Sequence, residues 1–120
     1  MASIAVDFDG VVHRYAKGWH DGSIYDEPIE GAFESLRELM KQYAVFILTT
    51  REAESVAAWL NERGGFEVTT RAPKRFWNKK GVLLVTNHKL PAIAYIDDRA
   101  VRFVHWEQTL NDLKQITATV

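Results

Sequence analysis

Three short apolar runs in this chain break off in the same way. Ser3 to Phe8 closes at Asp9-Gly10, Ala44-Val45-Phe46-Ile47-Leu48 ends at Thr49-Thr50-Arg51, and Ile93-Ala94-Tyr95-Ile96 ends at Asp97-Asp98-Arg99. Runs this short, closed by turn signals, read as strands buried on both faces. Between the first two, Phe33, Leu36, Leu39, Met40 and Tyr43 recur at three-to-four spacing, with Glu30, Glu34, Arg37, Glu38 and Lys41 on other faces. That spacing predicts an amphipathic helix. After the second run, Val56, Ala57, Trp59 and Leu60 form another helical stripe, and Gly64-Gly65 stands where a left-handed cap is needed. Phe66 to Thr70 reads as a further strand, and Leu110, Leu113 and Ile116 place a C-terminal helix over Glu107 to Ile116. Within Arg71 to Lys89, Val82 to Val85 suits a strand, while the rest has no clear period.

Strands alternating with helices favour a parallel sheet. The expectation is therefore an α/β fold: one Rossmann-like domain over residues 1–120, with a central, mostly parallel sheet and helices on both faces. At 120 residues the length suits one domain, and no repeat or linker-like tract divides it. The absence of cysteine excludes disulfides, thiolate metal sites and a cysteine nucleophile, in keeping with a reducing cytoplasm. A net charge of -1 gives no global field for nucleic acid or anionic membrane. The N-terminus shows no signal-type segment, so a soluble cytoplasmic protein with no membrane partner is expected.

Ligands of an open parallel sheet bind at the carboxyl ends of its strands. Asp7 and Asp9, Thr49 to Arg51, and Asp97 and Asp98 should therefore meet. Four carboxylates in one cleft repel one another unless a cation lies among them. Hard oxygen donors without His or Cys point to Mg2+, which takes a substrate phosphate as a further ligand.

These residues are also familiar as a set. Ile4-Ala5-Val6-Asp7-Phe8-Asp9-Gly10-Val11, then Ile47-Leu48-Thr49-Thr50-Arg51, then Lys89 and Tyr95-Ile96-Asp97-Asp98, resemble in order the four motifs of the haloacid dehalogenase (HAD) superfamily. An isolated Asp-x-Asp-Gly is often only a turn with Asx hydrogen bonds. All the motifs in order, across residues 4 to 98, are far more specific. The resemblance implies an enzyme, a phosphatase with Asp7 as nucleophile and Asp9 as general acid and base. Asp9 marks the phosphatase branch, since the dehalogenases lack it. Thr49 and Lys89 would bind and stabilise the transferring phosphoryl group, with Lys79 and Lys80 as alternatives to Lys89. Gly10 would let backbone approach the phosphate, with Thr50 and Arg51 as further substrate contacts. Asp7, Asp9 (through its carbonyl), Asp97 and Asp98 would hold the magnesium ion.

The superfamily usually gains selectivity from an inserted cap domain, for which residues 11–28 and 71–80 are too short. A capless site would admit a macromolecular phosphorylated substrate, such as a polynucleotide end, or would draw in a neighbouring subunit as a homo-oligomer. Arg51 suggests the polynucleotide 3'-phosphatase branch, so nucleic acid stands as a candidate partner. The basic and aromatic stretch Arg71 to Lys80 has the composition to bind a nucleic-acid backbone, although such runs are more often solvated loops. Two other classes compete: a phospho-receiver and a non-catalytic binding module. His13, His20, His88 and His105 lack metal-ligand spacing; His13 and His20 lie where they could touch substrate. The four tryptophans read mainly as packing residues, with Trp19 and Trp77 in loops.

Overall fold

The structure, a computed structural model, describes residues 2–118. In chain order it runs β1 (Ser3–Asp7), α1 (Ala32–Gln42), β2 (Ala44–Leu48), α2 (Ala53–Gly64), β3 (Val68–Thr69), β4 (Leu83–Thr86), β5 (Ala94–Ile96) and α3 (Trp106–Thr117). The strands form one sheet in the order β3-β4-β2-β1-β5, and every pairing is parallel. The arrangement is consistent with a single Rossmann-like α/β domain.

The apolar runs become strands for the reason their composition suggests. In β1, β2 and β4 nearly every residue is buried, which requires apolar side chains in both directions. Ile4, Val6, Val45, Ile47, Leu83 and Val85 point to one face, where they pack with Leu36 and Met40 of α1 and with Val56, Trp59 and Leu60 of α2. Ala5, Ala44, Phe46 and Leu84 point to the other, where Trp77 and Leu90 cover them.

The expectation of helices on both faces is therefore wrong: α1 and α2 share a face, and coil covers the opposite one. Topology gives the reason. The steps β1 to β2 and β2 to β3 move in one direction across the sheet, and right-handed crossovers then put both connecting helices on one side. The steps β3 to β4 and β4 to β5 move back, so their connections cross the other side. Those connections lack helical periodicity, and they cover the sheet with single large side chains. Trp77, although in a loop, is 7% exposed. The C-terminal helix forms as expected, but none of its residues is buried.

Gly65 ends α2 with φ 70°, and its N–H donates to the Asn61 and Leu60 carbonyls. This is the left-handed cap anticipated for the Gly64-Gly65 pair. Residues 8–31 fold into a flap over the end of β1. The Phe8 carbonyl accepts from the N–H groups of Val11, Val12 and His13, and His13 bridges to Pro28. Among the described residues, no helix is long and apolar enough to cross a membrane.

Coil that covers a sheet face should behave as core. Trp77→Ala is expected to cost about 3 kcal/mol in urea unfolding, whereas Phe76→Ala, next to it but 53% exposed, should stay within about 0.5 kcal/mol. Equal effects would show that Trp77 does not close that face.

Candidate functional site

Register brings the acidic residues together. Val6 pairs with Ile96 and Asp7 with Leu48, so Asp7, Thr49 and Asp97 leave the sheet at the same edge. One carboxylate oxygen from each of Asp7, Asp97 and Asp98 lies within 4.8 Å of the others. They border a cavity of about 490 Å³ whose lining also includes Asp9, Thr49, Thr50, Asn87 and Lys89. Of the three lysines considered, Lys89 reaches this cavity, with its Nζ 5.0 Å from the centre of the Tyr95 ring. Lys79 and Lys80 are exposed and do not line it.

Burial and like charge together shape the electrostatics of the cluster. Burial pushes the Asp7 carboxyl up to about 6, and repulsion from Asp97, Asp98 and Asp9 adds to the rise. The Phe8 N–H, donating to Asp7 Oδ1 at 2.8 Å, works in the opposite direction. Asp97 is fixed by the Arg99 N–H at 2.7 Å.

Gly10 closes the turn after β1 and stands against Asp98. Its φ is 84°, and its N–H donates to the His13 carbonyl at 2.8 Å, so that N–H is not aimed at a phosphate. A Cβ here would lie 2.2 Å from Asp98 Oδ2. The glycine permits the turn and makes room for a carboxylate.

Arg51 also departs from its anticipated role. Its side chain is 3% exposed, and its Nε donates to both Asp9 oxygens, at 3.0 and 2.8 Å. Its Nη1 donates to the Gly22 carbonyl at 2.8 Å, and the guanidinium lies 4.6 Å from the Trp19 ring centre. Arg51 thus faces Asp9 and the flap and does not line the cavity. Its spacing from Thr49 gave no hint of this, because both partners come from the segment after β1.

His13 is fully buried and is no substrate contact. Its Nε2 accepts the Asp26 N–H at 3.0 Å, which places the ring proton on Nδ1, 2.8 Å from Asp9 Oδ1. Asp9 is therefore gripped from two sides. His20 is exposed and absent from the cavity lining.

Thr49 is buried, with its Oγ1 accepting the Arg51 N–H at 3.1 Å, so its own O–H remains free to donate. Thr50 is exposed on the rim. Asn87 was not anticipated: its Nδ2 donates to the Thr49 and Arg51 carbonyls, tying the end of β2 to the end of β4. The run Val82 to Val85 was its only signal, since a polar residue just past a buried strand belongs to the same edge. Tyr15 and Tyr95 add aromatic walls.

The raised Asp7 value has a definite sign. A carboxyl held neutral by its surroundings costs no stability below 3.8 and becomes destabilising as pH rises through about 6. With chelator present, Asp7→Asn should melt like the parent near pH 4 and above it at pH 7, by roughly 1–2 kcal/mol after allowing for solvent screening. A gap that narrows with rising pH would contradict this electrostatic account. In comparisons with known proteins, no family model, no curated protein and no solved structure matches the chain.

Proposed function

We propose that the protein is a magnesium-dependent phosphatase of the HAD type, hydrolysing phosphomonoesters through an aspartyl-phosphate on Asp7. The observation that carries this reading is the meeting of Asp7, Asp97 and Asp98 at a cavity that Asp9, Thr49 and Lys89 also line. The donor set fits magnesium: carboxylate oxygens alone, clustered at a strand edge, with no His or Cys among them. Asp7, Asp97, Asp98 and the Asp9 carbonyl would hold the ion, which supplies positive charge to a transferring phosphoryl group and offsets the repulsion among the carboxylates.

The chain's own residues account for the remaining chemistry. One Asp7 oxygen attacks phosphorus, the bond from phosphorus to the ester oxygen breaks, and the departing oxygen takes a proton from the Asp9 carboxyl. Water then attacks the same phosphorus and gives its proton to Asp9. The bond to Asp7 breaks, freeing inorganic phosphate and restoring both side chains. Thr49 donates its hydroxyl to a phosphoryl oxygen, and the Lys89 ammonium stabilises charge on the equatorial oxygens. Thr50 offers a further hydroxyl at the rim.

Arg51 and His13 act on Asp9 as positioning residues. Their donors engage Asp9 Oδ1 twice and Oδ2 once, which fixes the plane of the carboxyl while one lone pair on Oδ2 remains for proton transfer. The polynucleotide 3'-phosphatase reading drew on Arg51 as a substrate ligand. With that guanidinium tied to Asp9, the general phosphomonoester reading has the better support.

Hydrolysis of p-nitrophenyl phosphate should require Mg2+ and stop when it is chelated. Asp7→Asn should lower kcat by about 1,000-fold or more, and Lys89→Ala by about 100-fold. Turnover that persists in Asp7→Asn would end the aspartyl-phosphate reading.

A further inference from the structure

Strand β5 carries a face that the other described residues leave open. All three of its residues are exposed, although parallel strands are normally covered on both sides. Beside it, between β5 and α1, runs an apolar groove of about 210 Å³ lined by Val11, Ile29, Ala32, Leu39 and Ile96, with Ser35 on its wall. This is the place where a helix following β5 would be expected to lie.

The chain has such a helix and holds it elsewhere. Trp106, Leu110 and Leu113 of α3 follow the i, i+4, i+7 pattern of an apolar stripe, and they are 69%, 55% and 42% exposed. A three-turn helix is marginal alone in water, so α3 needs a surface to lie on. The connection before it is a shaped elbow. The Phe103 ring packs on Trp106 at 5.3 Å, and His105 Nδ1 accepts the Gln108 N–H at 3.2 Å. No residue of α3 lines the groove.

We propose that α3 of one copy seats in the β5–α1 groove of a second copy, and that the exchange is reciprocal, giving a two-fold symmetric dimer. Groove and helix are both uncovered, both apolar, and present in the same chain, which is the condition for a self-complementary interface. A helix of 12 residues is about 18 Å long. Two such seams with their elbows would bury on the order of 1,500 Å², the size of a standard stable interface. Nothing here depends on phosphate chemistry, so this proposal and the phosphatase reading can fail separately.

The test is the mass of the full chain in solution, by light scattering and sedimentation over a wide range of concentration. The parent should have the mass of two chains. Leu110→Asp on the helix and Ser35→Arg in the groove, both at exposed positions, should each halve it. An equimolar mixture of the two variants should associate more than either alone yet less tightly than the parent, because one intact helix can then meet one intact groove while the second seam stays broken. A monomeric parent whose melting temperature falls with Leu110→Asp would mean that α3 folds onto its own chain. That result would overturn the proposal, as would any other monomeric parent or a dimer indifferent to both substitutions.

Discussion

The pairing of β1 with β5 is the constraint on which the site depends. With Val6 level with Ile96, the next residues along each strand are Asp7 and Asp97, and both emerge at one edge. A slip of one residue would reverse the facing of every side chain on β5 and draw Asp97 out of reach. Apolar contacts between parallel strands hold like charges close together, although those charges alone would push apart. Burial does most to raise the Asp7 carboxyl, and repulsion from the neighbouring carboxylates adds to it. The gathering of three carboxylates at one edge is the main physical argument for the proposed metal-dependent reaction.

A second network surrounds Asp9. His13 and Arg51 belong to different segments, yet both donate to this one carboxylate, and each is also bound to the flap through Asp26 or Gly22. The flap is thereby connected to the general acid and base of the proposed reaction. Stacking of Arg51 on Trp19 strengthens the connection and excludes water from the guanidinium. Orientation of a catalytic carboxyl to within a fraction of an ångström calls for supports of this kind, since a lone Asp at a strand end can turn about two torsions. Asn87 does the same for the β2 end, holding Thr49 in place through its carbonyl.

Much of the site was readable before the fold, for a simple reason. Asp7 stands at the tip of the first apolar run, Thr49 and Asp97 are the first polar residues after the other two, and parallel strands deliver such residues to a common edge whatever their order in the sheet. Lys89 followed from the resemblance, which implies a lysine before the last strand. The contacts of Gly10 and Arg51 were not legible, because each is made with a residue far away in sequence: Asp98 for the glycine, Asp9 for the arginine. His13 reads as a loop residue until its ring is found fully buried between Asp9 and Asp26. Trp77 lies in a stretch with no periodicity, yet it closes one face of the sheet.

The sequence by itself determined the strands, the helices and the edge at which chemistry can occur, because hydrophobic period and chain breaks are local properties. Tertiary structure alone decided which face each helix covers, which carboxylate Arg51 holds and where α3 lies. Those outcomes turn on strand order and on contacts between residues tens of positions apart. No local pattern encodes them, since the same amphipathic helix can cover either face of a sheet or the groove of a neighbouring molecule.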